Sequence, residues 1–138
     1  MKPSDPLDNS SRPLGLAVRR GFAGRCPRCG EGRLFGAYLK VVDACPVCGE
    51  DMTPQRADDA PAYVTMLVVG HFVVAGVVAA EDWWPNSPVL LDALIWAVLA
   101  AATSLALLPR VKGALIGYQW ATRMHGFGGP DRHADFGA

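Results

Sequence analysis

Two matched knuckles, Cys26-Pro27-Arg28-Cys29-Gly30 and Cys45-Pro46-Val47-Cys48-Gly49, hold all four cysteines of this 138-residue chain. Two residues between paired cysteines let one tight turn present both sulfurs. The short gap from Gly30 to Ala44 lets the two turns face each other. A doubled C-x-x-C of this kind marks a four-thiolate metal site. Zinc is the expected ion. Iron in a rubredoxin-like centre uses the same C-P-x-C-G knuckles with a longer gap, and a disulfide or redox-active pair is the third reading. The glycine after each second cysteine suits a positive φ that turns amides toward sulfur, and the proline after each first cysteine fixes one turn torsion. Between the knuckles, Arg33-Leu34-Phe35 and Tyr38-Leu39-Lys40-Val41-Val42 read as a β-hairpin turning near Gly36-Ala37. A zinc-ribbon-like domain over residues 25–56 is too small to fold on a hydrophobic core alone, so the metal is expected to supply much of its folding energy. Four thiolates close the tetrahedron and leave no position for a reacting water, which excludes hydrolytic metal chemistry.

The chain is 51% hydrophobic, and the apolar residues are concentrated rather than spread. Pro61 to Ala80 carries no formal charge, and Val89 to Leu108 carries only Asp92. Each has about the 20 residues that cross a hydrocarbon layer of roughly 30 Å. The expected fold is therefore a mostly α membrane protein. It has a two-helix transmembrane hairpin over residues 57–108, with spans at 61–80 and 89–108, and a small N-terminal β knuckle domain. Residues 1–24 and 128–138 read as flexible segments, and 1–25 lack the apolar core of a cleavable signal. Lys2, Arg12, Arg19, Arg20, Arg25, Arg28, Arg33, Lys40 and Arg56 precede the first span, and Arg110, Lys112, Arg123 and Arg132 follow the second. The loop Glu81 to Pro88 has no Lys or Arg, so the positive-inside rule places both termini in the cytoplasm. Trp83 and Trp84 suit the outer interfacial belt, and Tyr63 and Trp120 the inner one. A reducing cytoplasm also keeps thiols available for metal.

Polar groups in the spans are the remaining candidates. His71 falls near the middle of the first span, where an ionisable side chain is a functional candidate by default. It suits a haem or copper ligand, a proton relay or a partner contact; the plainer reading is a neutral ring bonded across a helix interface. Asp58 and Asp59, just before Pro61, read as capping residues at a helix N-terminus or as a cation or partner site. Ala93, Ala97 and Ala101, with Gly70 and Gly76 opposite, form small faces on which helices can pack closely. Residues 109–127 mix apolar side chains with Arg110, Lys112 and Arg123 after Pro109. They read as an interfacial amphipathic helix anchored in lipid, ended by Gly126.

These residues together resemble the bacterial domain-of-unknown-function 983 family from about Arg25 to Phe127. The resemblance is carried by Cys26 to Phe35, Cys45 to Gly49, Ala57-Asp58-Asp59-Ala60-Pro61-Ala62, Gly70-His71 and Leu108 to Gly113. It implies a small multi-pass inner-membrane protein with a metal knuckle. It also implies, through the company such genes keep, a role in building a haem–copper respiratory oxidase.

The leading expectation is an accessory protein that assists assembly or stability of a membrane complex such as cytochrome c oxidase. Its partners would be the bilayer and a larger membrane protein complex, with no small-molecule substrate. The alternatives are a copper- or zinc-handling protein, since thiolates also hold copper(I), and a membrane-tethered nucleic-acid-binding ribbon. For the last, residues 25–50 set Arg25, Arg28, Arg33 and Lys40 against Glu31, Asp43 and Glu50, too weak a basic footprint for phosphate binding. No Ser/His/Asp or Cys/His pattern, phosphate loop or open metal site points to an enzyme.

Overall fold

The computed structural model describes residues 12–56 and 59–127. Helix α1 (Leu14–Phe22) precedes a two-stranded antiparallel ribbon, β1 (Phe35–Ala37) and β2 (Lys40–Val41), followed by two long helices, α2 (Ala60–Trp83) and α3 (Val89–Ala121). A short 3-10 turn, Met124–Gly126, closes the described chain. The mostly helical fold with a small β knuckle agrees with the sequence. Three details differ.

The first concerns the leader. Residues 14–22, expected within a flexible segment, form α1 because two small residues on one side, Ala17 and Gly21, are buried. The expected flexible stretches at 1–11 and 128–138 lie outside the described residues. The second is the hairpin. Phe35 pairs with Val41 and Ala37 with Lys40, with an irregularity between, so the chain turns at Tyr38-Leu39 rather than Gly36-Ala37. Leu39 adopts φ 58°, and the Lys112 ammonium donates to its carbonyl at 2.7 Å. A side chain far along the sequence thus holds the turn.

The third is the largest. The second span and the expected interfacial helix are one element, since α3 runs unbroken through Pro109 to Ala121. Beyond Pro109 it buries Gly113, Ile116, Gly117, Gln119 and Trp120. Of these, Ile116 and Trp120 join Ala17, Cys26, Leu34, Cys45, Met52 and Phe127 in one hydrophobic core. The apolar side of residues 109–121 is therefore spent on protein rather than on lipid. Trp120 is 2% exposed and is no interfacial anchor.

The chain divides into two units. Among the described residues, one unit comprises 12–56 together with 109–127, and the other is Asp59–Leu108. The first is assembled around a crossing of α1 on α3. A methyl on Gly21 would strike the Gly113 carbonyl, one on Gly113 the Gly21 carbonyl, and one on Gly117 the Ala17 carbonyl. Backbone lies directly on backbone, as small residues four apart on both helices permit. Gln119 then closes the unit: its Oε1 accepts from the Arg56 amide and its Nε2 donates to the Arg56 carbonyl, both at 2.9 Å.

The second unit carries the apolar helices. Both α2 and α3 are long and apolar enough to cross a membrane. Only 11% and 0% of their most apolar windows are buried, the opposite of the core helix of a soluble domain. Trp83 and Trp84 at the end of α2 are 86% and 76% exposed. Gly76 leaves room for the Trp96 indole, whereas Gly70 faces open space.

Candidate metal centre

The two knuckles fold as near copies. Gly30 and Gly49 take φ 74° and 75°, and each donates its amide to the carbonyl of the first cysteine of its knuckle at 2.9 Å. The entry to each is tied in the same way: the Cys26 amide donates to Gly32 O at 2.8 Å and the Cys45 amide to Glu50 O at 2.9 Å. The two copies face each other. Cys26 Sγ lies 3.6 Å from Cys48 Sγ and Cys29 Sγ 3.7 Å from Cys45 Sγ, and all four sulfurs fall within 4.8 Å of one another.

A tetrahedron with metal–sulfur bonds of about 2.3 Å has edges of about 3.8 Å. The two cross-knuckle distances match that edge. All four cysteines are free thiols, so the disulfide reading finds no support. The site fits an ion the size of zinc, and ferrous iron would fit the same tetrahedron.

Charge around the sulfurs is arranged for thiolates. The Glu31 and Gly32 amides approach Cys29 Sγ at 3.5 and 3.4 Å. Burial pushes the Cys26 thiol well up, against the opposing pull of the Cys29 and Arg28 amides. Burial likewise dominates at Cys48, pushed up to about 11 despite the Glu50 amide. At Cys45 burial is the largest single influence, but hydrogen bonds from the Cys48 and Val47 amides and from the Cys48 and Cys29 side chains together outweigh it and bring the thiol down to about 7. A cation that converts all four to thiolates removes the mismatch between buried sulfur and surrounding N–H groups.

Several residues that the motif does not include shape this site. Arg20 of α1 donates from one guanidinium nitrogen to the carbonyls of Pro27 at 3.3 Å and Arg28 at 2.7 Å. It thus fixes the first knuckle and lays positive charge beside it. Gly32 presses its backbone against Cys45, where any Cβ would meet the sulfur. Glu50 is the junction: its Oε2 accepts from Arg28 at 3.0 Å and its Oε1 from the Trp120 indole N–H at 3.0 Å. Arg12 covers that indole, 4.4 Å from the ring centre, and donates to the Trp120 and Phe127 carbonyls at 2.8 and 3.2 Å. Ordered partners of this kind orient metal ligands and tune affinity.

The other sequence candidates that the structure describes are not members of the cysteine cluster. His71 is exposed, and its Nδ1 lies 2.7 Å from the Leu67 carbonyl of its own helix, a local bond rather than one across an interface. Nδ1–H donates there, which leaves Nε2 as the acceptor of the neutral ring. It borders an apolar groove with Met66, Leu67, Gly70, Val74 and Ala75. Asp59 is the N-cap residue of α2, but its side chain makes no capping bond, and Pro61 occupies the first turn. Asp58 lies outside the described residues. Among the described residues, the cluster that could hold a metal ion is Cys26, Cys29, Cys45 and Cys48.

A family model described as "Protein of unknown function (DUF983)" matches residues 35–120. That stretch begins after the first knuckle, contains the second, and ends at the buried tryptophan. No curated protein and no solved structure matches the chain.

Proposed function

The chain belongs to the DUF983 family, and from that premise we propose that it is a membrane-anchored, non-catalytic metal-knuckle protein that serves as an accessory to a larger membrane complex. The observation that carries this reading is the closed four-thiol site within a unit that also takes in the end of α3. The ion's ligands and the last turns of that helix share one core, joined through Glu50 and Trp120. A closed tetrathiolate supplies folding energy rather than a reacting position. Its role is therefore to hold a shaped, basic module on a chain that also carries two apolar helices only sparsely buried. Zinc is the ion proposed, the bacterial inner membrane the location, and the cytoplasm the side that holds the module. A respiratory complex such as cytochrome c oxidase is the partner that the family resemblance implies.

The test is purification from native membranes in mild detergent, with metal analysis and identification of companions. The expected result is one zinc per chain and a co-purifying membrane complex, both lost on Cys45→Ser. Recovery of a solitary metal-loaded chain, with normal oxidase content in a deletion strain, overturns the accessory role.

A further inference from the structure

The described residues of the ribbon-bearing unit carry eleven Lys and Arg side chains against Glu31, Asp43, Glu50 and Asp51. The other unit carries Asp59, Glu81, Asp82 and Asp92 and no Lys or Arg. The basic excess is not spread at random relative to the chain's exit from apolar sequence. Arg110 and Lys112 are the second and fourth residues after Leu108, where the apolar run ends, and stand about 3 Å apart along the helix axis. Each tends an exposed aromatic or its turn. The Arg110 guanidinium lies 5.6 Å over the Phe22 ring, which is 44% exposed. The Lys112 ammonium holds the Tyr38-Leu39 turn, where Tyr38 is 56% exposed and Lys40 follows directly.

The cysteines lie at the opposite end of the ribbon from this turn, because β1 and β2 pair outward from Tyr38-Leu39 toward Gly32 and Cys45. Aromatic rings beside Lys and Arg, at the level where an apolar helix becomes polar, are the composition of a headgroup interface. The apolar face with which residues 109–127 were expected to meet lipid is buried in the protein at Ile116 and Trp120.

We propose that Phe22 and the Tyr38-Leu39 turn insert into the headgroup layer, where Arg110, Lys112 and Lys40 bind the phosphates of anionic phospholipids. The inference rests on the membrane-anchored reading. Its occupant is a lipid surface because the patch follows directly on the apolar run and because charge and aromatic rings occur together in it.

The test places a photoreactive phenylalanine analogue at Phe22, at Tyr38 or, as a control at the metal end, at Val47, which is 59% exposed. The zinc-loaded full chain is reconstituted in discs of phosphatidylcholine alone or with phosphatidylglycerol, and lipid adducts are read by mass spectrometry. Adducts are expected at positions 22 and 38 and not at 47. They should favour phosphatidylglycerol and fall about fivefold for each charge removed by Arg110→Gln or Lys40→Gln. Incorporated chain that gives no adducts at 22 and 38, equal adducts at 47, or yields indifferent to lipid charge overturns the proposal and leaves the anchored reading standing. Protection of these positions by added RNA in uncharged discs also overturns it. A chain that stays soluble without discs or detergent overturns both.

Discussion

At the scale of single residues the cysteine pattern marked the four sulfurs that the fold gathers within 4.8 Å of one another, because C-x-x-C turns are local. What surrounds them was not local. Arg20, Gly32 and Glu50 reach the knuckles from α1, from the hairpin approach and from the second turn, and nothing in their spacing announces it. The His71 bond to Leu67 shows the reverse case, a residue conspicuous in sequence that bonds to its own helix. The protonation of the sulfurs has a measurable consequence. Cys26 and Cys48 are pushed up by burial, Cys48 to about 11, while Cys45 sits near 7. Near neutral pH the metal-free site therefore keeps protons on at least Cys26 and Cys48, and an incoming ion must displace them. The sign follows directly: raising the pH removes the competitor, so affinity climbs with pH. Two displaced protons correspond to about a hundredfold gain in apparent affinity per pH unit near pH 7. Zinc titrations with a competing chelator at pH 6.5 and 7.5, with proton release followed in weak buffer, check this. Binding that is flat with pH and releases no protons would contradict the assigned thiols.

At the scale of elements, the two apolar helices were legible because composition and length alone decide them. The boundary of the second was not. Residues 109–121 show an amphipathic pattern with basic flanks, and such a pattern reports an apolar face without saying whether lipid or protein covers it. Here Ile116 and Trp120 are buried against the ribbon. The overlooked signal was the pair of small-residue spacings, Ala17-x-x-x-Gly21 and Gly113-x-x-x-Gly117, which meet in the α1–α3 crossing. The same kind of spacing at Ala93, Ala97 and Ala101 faces outward, so spacing alone does not identify a contact. The crossing makes a paired prediction. Gly113→Ala puts a methyl onto the Gly21 carbonyl, with rigid helix backbone on both sides, and should destabilise the ribbon unit by about 3 kcal/mol. Gly70→Ala adds a methyl to open space and should leave stability unchanged. Zinc release under a fixed chelator challenge, measured on full-length protein in detergent, separates the two. Equal release from both variants would mean that the crossing does not support the metal site.

For the molecule as a whole, the notable fact is that one unit is discontinuous. Its described residues are 12–56 and 109–127, and the apolar pair is inserted between them in the sequence. The Arg56–Gln119 exchange of hydrogen bonds closes that insertion, tying the backbone just before α2 to the last turn of α3. A ribbon core that contains Cys26, Cys45, Ile116 and Trp120 together requires both flanks in one compartment. If α2 and α3 cross a bilayer, the crossing must therefore be paired, with loop 84–88 on the far side. The absence of Lys and Arg from that loop fits a paired crossing, and by the positive-inside rule it is the basis for proposing the cytoplasm for the flanks. Reporter fusions at either terminus should accordingly give the cytoplasmic signal, and one inserted at Asn86 the opposite signal. The sharper form of the prediction uses Asn86→Lys with Ser87→Lys to oppose the charge bias. Any reversed population should turn over as a whole, both ends together, because a half-turned chain would separate Trp120 from Glu50 and Gln119 from Arg56. Molecules trapped with their ends on opposite sides should hold no zinc. Recovery of such molecules with one zinc per chain would show that the ribbon folds without the end of α3, and the joint core described here would no longer explain the site.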